Sequence, residues 1–354
     1  MLIRVSSLSS GGRSLAYSTV TKLADEFIHG LRPLMGVNLV AGLTGSGKTL
    51  LGEALWVGVA HAIYALLRDE RYFNALQAAI DAYATRPLTF RFMACFRGVE
   101  VGRELCIEVD VKDSRKADVK LPAELSGELR VRALYGLLHI ISVPDRVKWG
   151  VAHALWELRE VGLLKFVTDT SLPRYTCLAT ITLLPPVGFD FAGERHRPCY
   201  MHMLGVSPEA IYESEAKNWK VRIFTHISNG DLNEALFKTV NTVAVELSKL
   251  TREKNIVSVL PLIYLDDGFE GLDIGRIKRL LEGSFDVSIY VTSHRIEAGM
   301  YTTRNFVLSY GTRASELVEQ PRDFRFALVD ASLIERHSDI FKDVCKALTD
   351  AECK

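Results

Sequence analysis

Residues 42–49 read Gly-Leu-Thr-Gly-Ser-Gly-Lys-Thr, a spacing that fits G-x-x-x-x-G-K-[ST]. Gly42, Gly45 and Gly47 let backbone N–H groups turn inward around a phosphate, with Leu43, Thr44 and Ser46 completing the loop. The Lys48 ammonium can reach the terminal phosphates of a nucleoside triphosphate, and the Thr49 hydroxyl can bind Mg2+. Leu50 then enters a helix whose N-terminal dipole favours an anion. A glycine-rich turn with a chance lysine is the competing reading. The strand before the loop and the helix after it speak against that.

A second stretch, YLDDGFEGLD at 264–273, holds four acidic side chains in ten residues directly after an apolar run. As a charged turn it would only cap a strand. Beside a phosphate cradle, Asp266 is placed to hold the metal, and Asp267 to orient or deprotonate an attacking water. About twenty residues later, VTSHR puts His294 just past another apolar run, where it can hydrogen-bond a terminal phosphate. A lone histidine is usually structural; its spacing from the acidic strand end favours the functional reading.

These residues need elements to position them. Residues 36–41 read as a short buried strand, and Leu50, Leu51, Ala54, Leu55 and Val59 as one face of an amphipathic helix. The helical pattern continues almost unbroken to residue 83. Runs at 256–263 and 287–291 predict two further buried strands of a parallel sheet. Residues 86–113 alternate apolar and polar around Arg97, Gly98 and Gly102, which predicts an antiparallel pair joined by a tight turn.

With these motifs on one chain, the sequence resembles the ABC-type P-loop ATPases, and within them the SMC/RecF-like group. Residues 1–112 and 220–312 carry the resemblance: the opening strand and Walker A, the Walker B at 262–267, the Gly271-Leu272-Asp273 D-loop, and the switch-histidine segment. It implies an α/β fold with a mixed sheet and an antiparallel β lobe, ATP and Mg2+ as ligands, and an ATP-dependent homodimer. It also implies a signature motif at a helix start, facing the nucleotide of the opposite subunit. LSGE at 125–128 is nearer the family spelling, but ISNGD at 227–231 lies one long helix before Walker B. Position selects Ser228, Asn229, Gly230 and Asp231, with an ordinary N-cap as the alternative. Two departures stand out. The family commonly has glutamate at Asp267, and no glutamine follows the strands before residue 120, where a Q-loop is expected. Slow hydrolysis is the expectation.

Between these lobes, no sustained heptads appear. Residues 145–161, ended by Gly162, and a hairpin carrying 168–174 resemble the recognition helix and wing of a winged-helix domain. Arg146, Lys148 and Arg174 would then meet phosphates of double-stranded DNA. Nine Lys/Arg against seven Asp/Glu over 116–185 leaves contact with a partner protein equally open. The expected organisation is an ATPase lobe at 1–115, the insertion at 116–185, a second lobe at 186–335, and a tail at 336–354 with a strand at 324–329 and a helix at 338–349. His196, Cys199 and His202 lack a fourth ligand at recognisable spacing, so no metal is assigned there.

Lys plus Arg and Asp plus Glu are each 43, so no global basic field argues for nucleic acid. Six scattered cysteines without a CxxC pair suggest reduced thiols. With neither a signal core nor an 18-residue apolar run, a cytoplasmic protein without membrane contact is expected. Two functions compete: an ATP-driven dimerisation switch acting on DNA, and a DNA-binding regulator whose assembly follows ATP binding with little turnover.

Overall fold

The apolar run at 36–41 forms a strand whose six residues are all buried. The computed structural model describes residues 1–10, 13–18, 20–23, 26–29, 31, 33–42, 46–68, 88–97, 104–148 except 124 and 126, 228–310 except 254, and 315–320, with scattered positions from 70 to 80. Its strands, in chain order, are β1 (Leu2–Ser10), β2 (Arg13–Ser18), β3 (Val20–Leu23), β4 (Glu26–His29), β5 (Gly36–Ala41), β6 (Leu88–Arg97), β7 (Glu104–Asp113), β8 (Lys116–Lys120), β9 (Ile140–Val143), β10 (Leu262–Leu265), β11 (Ser288–Thr292), β12 (Arg304–Tyr310) and β13 (Ser315–Gln320). The helices are α1 (Lys48–Leu67), α2 (Gly127–Leu138), α3 (Asn229–Glu253) and α4 (Ile274–Leu281).

Two sheets result. One is antiparallel, in the order β2-β1-β6-β7-β8; the other is mixed, in the order β4-β3-β13-β12-β5-β11-β10-β9. Within the mixed sheet, β9, β10, β11, β5 and β12 are mutually parallel, so their carboxyl ends lie along one edge. The mixed α/β architecture with an antiparallel sheet is the expected one.

Helix α1 packs against β9 of the mixed sheet and against β1, β6 and β7 of the antiparallel one. A helix covered on both sides needs no polar stripe, and α1 is buried almost all round rather than amphipathic as expected. Close packing explains two of its glycines. A Cβ on Gly52 would lie 3.0 Å from the Tyr264 ring, and one on Gly58 would lie 2.5 Å from the Phe92 ring. By length and composition α1 could cross a membrane, yet 83% of its most apolar window is buried inside the fold. The expected continuous helix to residue 83 is interrupted at Arg68, which takes φ +54° and caps α1 through its N–H to Tyr64 O.

Several sequence readings need correction. The antiparallel pair at 86–113 is present, but its register sets Cys95 opposite Cys106, and the two are joined as a disulfide rather than left as thiols. Residues 116–148 do not form part of a separate insertion: β8 extends the antiparallel sheet, and β9 pairs in parallel with β10. The helix expected at 145–161 begins as a 3-10 turn, Asp145–Val147. Gly127 and Glu128 of the LSGE stretch open helix α2. The strand expected over 256–263 is confined to 262–265, because Pro261 cannot donate to a ladder. The wing at 168–174, the 196–202 cluster and the tail elements lie outside the described residues.

Candidate functional site

Gly42 directly follows β5. A Cβ there would lie 2.7 Å from both Leu308 O and Ser46 Oγ, so a side chain at this position would clash with the β12 backbone. Gly47 takes φ +96° before α1 begins at Lys48, and no side chain caps that helix end. The positive end of the helix dipole lies there, which favours an anion. Ser46 Oγ is buried without a hydrogen-bond partner. Lys48 is itself buried and donates to Gly42 O at 2.8 Å. Burial lowers its pKa, while the Asp267 and Asp266 carboxylates oppose that shift. Thr49 and Leu50 lie half-buried in the first turn of α1; Leu43, Thr44 and Gly45 are outside the described residues.

The second segment is bound tightly to the first. Tyr264 on β10 donates from its hydroxyl to Lys48 O at 2.7 Å. Asp266, at the end of β10, has no exposed surface; its Oδ1 accepts from Thr292 Oγ1 at 2.7 Å and its Oδ2 from Asp145 N at 3.3 Å. A carboxylate has about four lone-pair sites, so Asp266 retains room for a cation or a cation-bound water.

Asp267 is held in the left-handed region at φ +44°. Its N–H donates to Thr292 Oγ1 at 2.8 Å, so one hydroxyl bridges the two aspartates. Its Oδ1 is buried with no hydrogen-bond partner. Burial, then the Asp266 charge, raises its pKa; Lys148 and His294 act in the opposite sense. His294 is exposed just beyond β11, whose end is tied to β5 by Ser293 N to Val40 O at 3.2 Å. Lys48, Asp266, Asp267 and His294 thus share one sheet edge.

Two site residues were missed. The strand beside the one that ends at Asp266 is β9, and Asp145, two residues past its end, donates its N–H to Asp266 Oδ2. Lys148, read as a DNA contact, is buried, ion-paired to Asp145 at 2.8 Å and donating to Asp267 O at 3.1 Å. Arg146 is exposed, and Arg174 is outside the described residues.

The Ser228–Asp231 segment starts α3. Ser228 Oγ accepts from Asp231 N at 3.2 Å and donates to Asp231 Oδ2 at 2.8 Å, an N-cap arrangement. Asp231 and Glu234 both pair with Arg276 at 2.6 Å, and Asp273 caps α4 by accepting Arg276 N at 2.8 Å. Gly230 and Gly271 touch through their backbones: a Cβ on Gly230 would lie 2.3 Å from Gly271 O, and Gly271 needs φ +73°. Asn233, one turn on, donates to Glu270 O at 2.8 Å and Asp267 O at 3.3 Å. The structure therefore joins Ser228–Asp231 to Asp273 on one surface of the same chain.

No family model matches the chain, and no curated protein matches it. Among solved structures it is similar to an SMC head bound to the C-terminal winged-helix domain of ScpA, with TM-score 0.41, 12% identity, and coverage of 90% of this chain and 97% of that one. It is similar also to an Smc head with an extended coiled coil bound to the C-terminal domain of ScpA derived from Pyrococcus furiosus, with TM-score 0.35, 14% identity, and coverage of 97% and 99%. A third is the recombination mediator RecF with ATP, with TM-score 0.33, 13% identity, and coverage of 90% and 98%.

Proposed function

We propose that this sheet edge binds ATP with Mg2+, that the protein hydrolyses it slowly, and that two copies close around two nucleotides. The observation that carries the reading is convergence. Lys48, Asp266, Asp267 and His294, from three distant segments, meet where parallel strands end, the usual place for ligands in such sheets. The buried, unpartnered Ser46 Oγ and Asp267 Oδ1 lie on that edge.

The chain's own residues divide the work. Lys48 and the N–H groups opening α1 would bind phosphate oxygens; Thr49 and Asp266 supply hard oxygen donors suited to Mg2+. Once bound, Mg2+ neutralises charge on the phosphate oxygens. Asp267 accepts a hydrogen bond from the attacking water and aligns it, and His294 donates toward the transferring group. An aspartate reaches less far than glutamate, which supports slow turnover.

In the dimer, Ser228–Asp231 and Asp273 face the second copy's nucleotide. Sedimentation of Asp267→Asn tests this: the variant is expected to bind ATP and become a dimer with ATP but not with ADP. A variant that binds ATP and stays monomeric contradicts the sandwich.

A second reading, assembly governed by ATP with little turnover, draws on the short reach of Asp267 and the missing Q-loop glutamine. Action on DNA rests on the resemblance, and the burial of Lys148 removes one of its three expected phosphate contacts. Steady-state ATPase with and without duplex DNA separates the readings; strong stimulation excludes the second.

A further inference from the structure

Asp267 is one of three non-glycine residues with positive φ among the described residues, the others being Arg68 and Asn255. Such a conformation persists only where the surroundings over-determine it. Here the whole peptide is held. The N–H is taken by Thr292 Oγ1 on β11, at 2.8 Å. The carbonyl accepts two donors from different elements: Lys148 Nζ at 3.1 Å, from the turn after β9, and Asn233 Nδ2 at 3.3 Å, from α3.

Both donors are buried, Lys148 at 4% exposure and Asn233 at 3%. A buried ammonium is costly unless it is paired. Lys148 meets that need with the Asp145 carboxylate, and the Asp145 N–H holds Asp266 Oδ2. Asn233 spends its amide donors on Asp267 O and Glu270 O, the two ends of the turn between Walker B and the D-loop. Neither residue need touch the nucleotide for this arrangement to matter.

We infer that Lys148 and Asn233 are positioning residues for hydrolysis, which fix Asp267 in its left-handed conformation by donating from two elements to one carbonyl. The inference rests on the proposed ATPase reading and adds the groups that set where the Asp267 carboxylate lies. Because the two donors share one acceptor, either alone holds it partly, and loss of both releases it.

The test uses the full chain as Lys148→Met, Asn233→Ala and the double variant. Each single change is expected to lower kcat about tenfold or more while leaving KM and ATP affinity within about twofold, as for a misplaced catalytic group. The double variant should lose more than the product of the singles. A crystal structure of the nucleotide-free double variant should show Asp267 outside the left-handed region. An Asp267 peptide unchanged in that structure, or KM rising in step with any fall in kcat, overturns the inference. A wild-type protein that binds no ATP would sink the ATPase reading instead, and the crystal comparison would still decide the positioning role.

Discussion

Asp267 is where opposing forces on the site meet. Its carboxyl is pushed up first by burial and then by Asp266, and Lys148 and His294 pull it back. An acid whose folded pKa exceeds its unfolded value binds its proton more tightly when folded. That contribution is complete below the unfolded value and is lost as pH rises through the folded one. Asparagine removes the charge and tolerates positive φ well. Asp267→Asn is therefore expected to raise Tm at pH 7 in magnesium- and nucleotide-free buffer. The gain should shrink on acidification toward the ordinary aspartate range; a gain equal at both pH values would contradict this. At this scale Lys48, Asp266, Asp267 and His294 were legible because each follows a local apolar run at motif spacing. Asp145 and Lys148 were not. Their role depends on β9 pairing with β10, more than a hundred residues away, and no local pattern records a parallel pairing of that span.

The elements follow the same division. Alternation at 88–113 revealed the β6–β7 pair, and even its disulfide follows from the register once the pairing is known. Helix α1 was misjudged as amphipathic because an all-apolar helix face is informative only when the second covering sheet is known. The Gly230–Gly271 contact was legible as two motif glycines, but its structural reason was hidden. Each lies where the other's backbone leaves no room for a side chain, and this packs the start of α3 against the turn at Gly271. Gly230→Ala is expected to cost about 1–3 kcal/mol, as overpacking does. Denaturant unfolding would read this as a lower midpoint with unchanged slope. An unchanged midpoint would show that the contact yields easily.

At the scale of the molecule, the insertion was expected to begin at residue 116, yet the sheets continue past that point. Residues 116–120 and 140–143 belong to the two sheets, as β8 and β9. Lys148 and Asn233, far apart in sequence, both donate to Asp267 O, and Asn233 also to Glu270 O. The central claim is that the edge formed by β5, β10 and β11 is a nucleotide site organised around Lys48. Calorimetric titration of ATP into the wild type and Lys48→Ala, with and without Mg2+, tests it most directly. The expected result is saturable, Mg2+-strengthened binding by the wild type and loss of at least about tenfold in affinity in the variant, the loss of one charge-assisted contact. Equal binding by both proteins would contradict it.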